Sequence, residues 1–345
     1  MLSAEDNDLL TQTGPGTPMG SLMRRYWTPA LLADELAEPD GPPVRVQILG
    51  ERLVAFRDNS GQIGLLHERC PHRGCSLFLA CNEDGGLRCI YHGWKFDVGG
   101  RCLDMPTEDE GSDFRDKVQA RAYPVRETGG MVWAYLGPAG KTPPFPNFEC
   151  IGLPAGQWQV WKMLEECNYL QAIEGGIDTA HGPFLHRRTP YRPPDPGAVV
   201  STEKRARIEV QTTSYGLRYG ALREAGEDNQ YIRVTPFVLP WYQIAPPNDR
   251  LDERSFVENK MWNAWVPIDD RLTWHFQYFY NSSQPIDVER RVQRAGLWLD
   301  ADHRKLRNRD NNYLQDRAAQ KTRVFSGMDG LSLIHISEPT RQAEI

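Results

Sequence analysis

Four residues in two short segments have the types and spacing that suit metal chemistry: Cys70-Pro71-His72 and Cys89-Ile90-Tyr91-His92, with sixteen residues between His72 and Cys89. Each segment offers one thiolate and one imidazole. A structural zinc site is one reading, although zinc ribbons usually draw a like pair from each loop, and a Cys-x-His gap is awkward for two ligands closing on one ion. A two-iron cluster is the other. Both cysteines would then hold one iron and both histidines the second, with each segment bridging the pair. Neutral imidazoles in place of two thiolates leave such a cluster less negative and raise its potential by roughly several hundred millivolts. Gly74 and Gly93 follow the two histidines closely and let backbone amides turn inward.

A second constellation lies in Asn168-Tyr-Leu-Gln171-Ala-Ile-Glu174-Gly-Gly-Ile-Asp178-Thr-Ala-His181-Gly-Pro-Phe-Leu-His186. On a helix Asp178 and His181, three apart, share a face, so Asp178 can orient His181 through one ring nitrogen. His186 would point elsewhere on a continuing helix, but Gly182-Pro183 breaks the helix and the turn can bring it back. Two imidazoles and a carboxylate form the open-faced set that binds non-haem iron; a pair of structural histidines is the alternative. Asn168, Gln171 and Glu174 fall near the same helix, as supporting groups or as polar helix surface.

The elements that must position these groups follow from composition and period. The chain has 345 residues, with 40 Lys and Arg against 46 Asp and Glu, a net charge of -6 that argues against nucleic acid as a partner. No apolar run approaches the ~18 residues of a membrane span, and the acidic start is unlike a targeting peptide, which predicts a cytoplasmic protein with no membrane partner. Seven cysteines are too few for a disulfide scaffold. After short helices over 4–13 and 19–27, strand patterns at 44–49, 53–56, 63–66, 87–96 and 131–136 predict an all-β unit. The proline-rich stretch Gly137–Pro146 reads as a linker, placing domains at 1–150 and 151–330. The second reads as α+β: helix over 165–181, strands between 205 and 280, then helices over 286–298 and 304–320.

Cys70-Pro-His-Arg-Gly74 with Cys89-Ile-Tyr-His-Gly-Trp-Lys-Phe96 resembles the Rieske iron-sulfur motif of aromatic ring-hydroxylating oxygenases, and D-x2-H-x4-H downstream resembles their mononuclear iron site. The stretch from Glu166 to His186 is most similar to the phthalate 4,5-dioxygenase branch, which includes O-demethylating monooxygenases. The resemblance implies a 2Fe-2S cluster with Cys70 and Cys89 on one iron and His72 and His92 on the other. It also implies a non-haem Fe(II) held by His181 and His186, and an Asp178 that links that iron to a histidine of a neighbouring subunit's cluster. The implied protein is the oxygenase component of a system that inserts oxygen from dioxygen into an aromatic, carboxylated substrate. Its electrons come from a separate NAD(P)H-dependent reductase, and its subunits form a trimeric ring. An O-demethylating monooxygenase, or an electron-transfer protein with a non-functional second site, are the alternatives.

The remaining candidates are weaker. Cys75 occupies the place of a disulfide cysteine in electron-transport Rieske proteins, but Tyr91 stands at its partner's position; Cys75 and Cys81 read as small buried thiols rather than a pair. Cys102, Cys150, Cys167 and His67 read as structural. Arg233 could meet a substrate carboxylate or sit in a structural ion pair, and Trp241, Tyr242, Phe276 and Phe279 could line a pocket or fill a core. The family's third iron ligand is an acid on a late helix. The segment 331–345 has no such helix and reads as a non-native tail, so His335 is no ligand candidate, and Asp310, Asp316 and Asp329 have no spacing argument for the role.

Overall fold

The computed structural model describes residues 2–109, 111–185, 205–225, 228–246 and 259–328. His186, Asp329, His335 and the tail lie outside them. The chain divides into one unit of Ala4–Gly152 with Pro267–Asp270, and another of Leu153–Val266 with the chain from Arg271 on.

In the first unit α1 (Ala4–Thr11) precedes α2 (Pro18–Met23), whose N-cap Thr17 accepts the Gly20 amide at 3.1 Å while Pro18 fills the first turn, where a missing N–H costs nothing. The expected helix to Trp27 stops at Met23 because Trp27–Leu32 is a strand, β1. Its sequence, with a proline among helix formers, disguised it; the bulge between Pro29 and Leu31 absorbs the proline. The meander β2 (Val44–Ile48), β3 (Glu51–Arg57) and β4 (Ile63–His67) follows the predicted hairpins. Asp58 shapes the second turn, accepting the Ser60 and Gln62 amides. A four-stranded sheet runs β5 (Cys81–Glu83), β6 (Gly86–Arg88), β7 (Lys95–Phe96) and β8 (Cys102–Asp104). The strand expected to run from Leu87 to Phe96 is therefore interrupted: the chain leaves the sheet at Cys89 and returns at Lys95. After the single turn α3 (Phe114–Lys117), β9 (Val125–Thr128) and β10 (Met131–Tyr135) complete a third sheet in the order β1-β10-β9. One core cluster packs Val54, Phe56, Leu66, Leu77, Leu87 and Phe96 around Cys70 and Cys89.

The second unit is built on a seven-stranded antiparallel sheet, ordered β11-β17-β16-β15-β14-β13-β12. Its strands are β11 (Trp158–Glu165), β12 (Arg207–Thr213), β13 (Gly216–Glu224), β14 (Gln230–Val238), β15 (Tyr242–Ala245), β16 (Lys260–Pro267) and β17 (Thr273–Tyr280). The helices are α4 (Tyr169–Ile177), the turn α5 (Gly182–Leu185), α6 (Val288–Ala295) and α7 (Arg317–Thr322). Antiparallel sheet with helices is the predicted α+β class. Two expectations need correction. The helix expected from 165 begins only at Tyr169, because Glu165 ends a strand whose charged Lys162 and Glu165 are both buried and hide its character. The helix expected over 304–320 is a 3₁₀ segment over Arg309–Leu314 followed by α7. Asn312, Tyr313 and Leu314 sit at positive φ, and no residue of the 3₁₀ segment is buried, so no apolar stripe supports a continuous helix.

In the first unit a buried ionic group ties α2 to the meander. Arg24 pairs with Glu51 at 3.1 Å and donates to the carbonyls of Thr13, Gly20 and Leu49, while the Tyr123 hydroxyl donates to Glu51. Removing only the Arg24 cation leaves the buried Glu51 carboxylate with the Tyr123 hydroxyl and the longer, exposed Arg121 contact at 3.7 Å. Arg24→Leu is expected to lower stability by about 3–5 kcal/mol, read from urea unfolding; a loss below about 1 kcal/mol would mean Glu51 is served by its other partners.

Candidate metal centres

The two Cys-His segments fold into loops of the same construction. The Cys70 amide donates to the Cys75 carbonyl at 2.8 Å and the Gly74 amide returns to the Cys70 carbonyl at 2.9 Å. In the second loop Cys89 donates to the Trp94 carbonyl and Gly93 returns to Cys89, both at 2.9 Å. Each cysteine therefore bonds five residues ahead and is bonded from four ahead. Closing so short a loop needs a left-handed residue at the return, and Gly74 and Gly93 stand at φ +70° and +75°.

This construction separates the donors by type. Cys70 and Cys89 are each 3% exposed and adjacent: burial pushes the Cys70 thiol up to about 11, and the neighbouring Cys89 adds to the shift. His72 and His92 are half-buried, with ring centroids 4.5 Å apart. The His72 ring lies flat on the Trp94 indole, 4.3 Å away and 7° from parallel. Among the described residues no three His, Cys, Asp or Glu side chains gather as a single-ion site; the donors come as a thiol pair and an imidazole pair. Trp94 was within the quoted motif, but its stacking role had no sequence signal.

None of the other cysteines forms a disulfide. Cys75 is half-buried rather than the buried thiol expected, and lies within hydrogen-bonding reach of Cys89. Cys81 is exposed, correcting its reading as a buried thiol, because it opens the edge strand β5. Cys102, Cys150 and Cys167 are buried as expected. His67 is structural, its Nδ1 accepting the Arg69 amide at 3.3 Å.

In the second unit the structure brings Asp178 and His181 together, by a route other than a shared helix face. Helix α4, capped by Asn168 on the Leu170 amide at 3.0 Å, ends at Ile177, and Asp178 is extended. Its carboxylate then organises the next turn. Oδ1 accepts the Ala180 amide at 2.9 Å; Oδ2 accepts the His181 amide at 2.9 Å and faces His181 Nδ1 at 2.8 Å. That hydrogen bonding, His181 first, holds the Asp178 carboxyl at about 2, so it is ionised and Nδ1 carries the proton. Nε2 is left with a lone pair for a metal. Asn168 is 2% exposed and serves as a helix cap, while Gln171 and Glu174 are half-buried.

Two residues of β13, not singled out from the sequence, anchor this turn. The Tyr219 hydroxyl donates to the Ile177 carbonyl, and Arg223, 1% exposed, donates to the Thr179 carbonyl at 3.0 Å and hydroxyl at 2.9 Å. Register pairs Ala221 with Arg233, so Arg233 shares the sheet face of Tyr219 and Arg223. Of the four aromatic candidates, Trp241 and Tyr242 meet edge to face with centroids 6.2 Å apart and are buried with Phe276 as core, whereas Phe279 lies apart from them. Phe276 and Tyr242 alternate to the face opposite His275 and Gln243, and Phe279 packs with Trp161, Met163 and Leu297. Asp310 is spent on Arg304 at 2.7 Å and Asp316 caps α7.

Comparison with known proteins agrees with both units. Residues 26–124 match the Rieske 2Fe-2S domain family, and residues 134–337 match the family described as LigXa C-terminal domain like. The phthalate 4,5-dioxygenase oxygenase subunit of Pseudomonas putida is 40% identical over 96% of this chain and 77% of its own length. The 3-chlorobenzoate-3,4-dioxygenase oxygenase subunit of Comamonas testosteroni is 38% identical over 96% of this chain and 80% of its own. Among solved structures, dicamba monooxygenase bound to 3,6-dichlorosalicylic acid has the same fold, with a TM-score of 0.62 at 19% identity, covering 79% of this chain and 83% of the other. No described helix is long and apolar enough to cross a membrane. With a Rieske domain, a matching catalytic domain and relatives of this similarity along nearly its whole length, the chain belongs to the Rieske non-haem iron ring-hydroxylating oxygenases, as an oxygenase subunit of the phthalate 4,5-dioxygenase-like branch.

Proposed function

We propose that this oxygenase subunit acts on an aromatic carboxylate and that its cluster is held by Cys70, His72, Cys89 and His92. The observation that carries the ligand assignment is the sorting of donors into a buried thiol pair and a half-buried imidazole pair on two identically closed loops. A single zinc ion asks for four donors around one point, whereas a two-iron cluster with one sulfur-bound and one nitrogen-bound iron asks for two pairs. When bound, the cluster supplies one-electron storage, and a mononuclear iron at His181 and His186 supplies dioxygen chemistry.

The chain's own residues do the rest. Asp178 keeps the proton on His181 Nδ1 and so presents Nε2, while Tyr219 and Arg223 fix the height of the turn. Arg233, half-buried on the same face and held through one terminal nitrogen that donates to the Pro246 carbonyl at 3.5 Å, is the cation proposed to meet a substrate carboxylate. Substrates with that group are supported by the relatives, one named for phthalate and one for 3-chlorobenzoate. Ile90 and Tyr91 are 58% and 61% exposed beside His92. This apolar rim suits docking on a second copy, as in the head-to-tail ring, with electrons arriving from a separate donor protein.

Three outcomes follow. His181→Ala with His186→Ala abolishes oxygenation and leaves the visible spectrum of the cluster in place; turnover surviving the double change contradicts the iron assignment. Nitrogen-15 NMR of metal-free chain finds His181 as the Nδ1–H tautomer, and Asp178→Ala loses that preference; an Nε2–H form in the unaltered chain contradicts the proposed role. Arg233→Gln raises KM for an aromatic carboxylate by about tenfold or more, the loss of a charged hydrogen bond, and spares the uncharged amide analogue; equal effects on both would return Arg233 to a structural role.

A further inference from the structure

A run of buried polar groups crosses the catalytic-unit sheet without touching Asp178 or His181. Lys305 donates to Glu165 Oε1, which also faces His275 Nδ1 at 3.2 Å; His275 Nε2 lies 2.9 Å from Asn263 Oδ1. Asn263 Nδ2 donates to Gln243 at 2.7 Å, and Gln277 donates to Asn263 Oδ1 at 3.2 Å. With Oδ1 so fixed as an acceptor, His275 Nε2 carries the ring N–H that donates to it, and Glu165 Oε1 stands 3.2 Å from the other ring nitrogen. Glu165, Asn263, Gln243, His275 and Lys305 are all under 9% exposed. Burying this many polar groups is costly and purchases nothing that an apolar core would lack, except a fixed orientation.

What the clamp orients is Trp265. Its ring stacks on His275, with centroids 5.2 Å apart and planes within 20°, and its indole N–H has no acceptor among the described residues, so the stack holds it rather than a hydrogen bond. The far edge of the indole lies against Gly176 of α4, where any Cβ would overlap the Trp265 ring. Gly176 is two residues before Asp178. We propose that Lys305, Glu165 and His275 are positioning residues for the mononuclear iron: they set the plane of Trp265, on which the end of α4 rests, and thereby the height at which Asp178 presents His181.

This inference rests on reading His181 as an iron ligand. The test uses the cluster-loaded chain stripped of its labile iron and titrated with Co(II), whose ligand-field spectrum reports geometry directly. His275→Gln and Gly176→Ala each weaken Co(II) binding by about tenfold, the usual cost of losing support behind a metal ligand, and change the spectrum, while the cluster absorbance is unaltered. Because both act through one indole, the double variant binds no more weakly than either alone. Trp265→Phe, by making room, restores binding to Gly176→Ala. Single variants with unchanged affinity and spectrum, or strictly additive losses, overturn the proposal. An unaltered chain that takes up no Co(II) overturns the iron-site reading beneath it instead.

Discussion

Everything in the Rieske unit depends on closing two short loops without leaving their buried backbone groups unpaired. A cysteine placed at the root of such a loop is drawn into the core by its own amide and carbonyl, which bond to residues five and four ahead. A histidine two or three residues on is then carried to the rim. The separation of soft, buried sulfur from accessible nitrogen is thus a consequence of backbone hydrogen bonding. The core around Cys70 and Cys89, with Leu77, Leu87 and Phe96, keeps water from the thiols, and the flat Trp94 fixes one imidazole from behind. Burial raises the Cys70 thiol, so metal binding must displace its proton, which couples loading of the site to pH and to folding.

The catalytic unit solves a different problem, because its donors leave from the end of a helix rather than from a loop closed on itself. Asp178 terminates α4 and immediately caps the next turn, so one carboxylate fixes two amides and an imidazole. The seven-stranded sheet supplies the platform. Its polar members on the face beneath α4 come from strands far apart in the chain, and each is held by a neighbour rather than by solvent.

Legibility in the sequence followed contact distance. The two Cys-His loops are complete within a few residues each, and their chemistry could be read from spacing. The contact between Asp178 and His181 was also readable, although the local structure behind it was not: a helix face and a capped turn both place residues three apart together. Tyr219 and Arg223 meet the turn from 42 and 44 residues away, and His275 and Lys305 reach Glu165 from 110 and 140. No local pattern encodes such pairings. Strands β1 and β11 were hidden by a proline at a bulge and by buried charges, respectively, and the charged segment around Arg309 looked helical because sequence cannot say that none of it would be buried.

The most direct test of the account is the iron and acid-labile sulfide content of the chain purified without oxygen, before and after replacing Cys70 and Cys89 by Ser. The account predicts about two sulfides and at least two irons per chain in the unaltered protein, and loss of all the sulfide in the variant. Zinc without sulfide, or sulfide that survives the replacement, would contradict the assignment of the two loops as the cluster site.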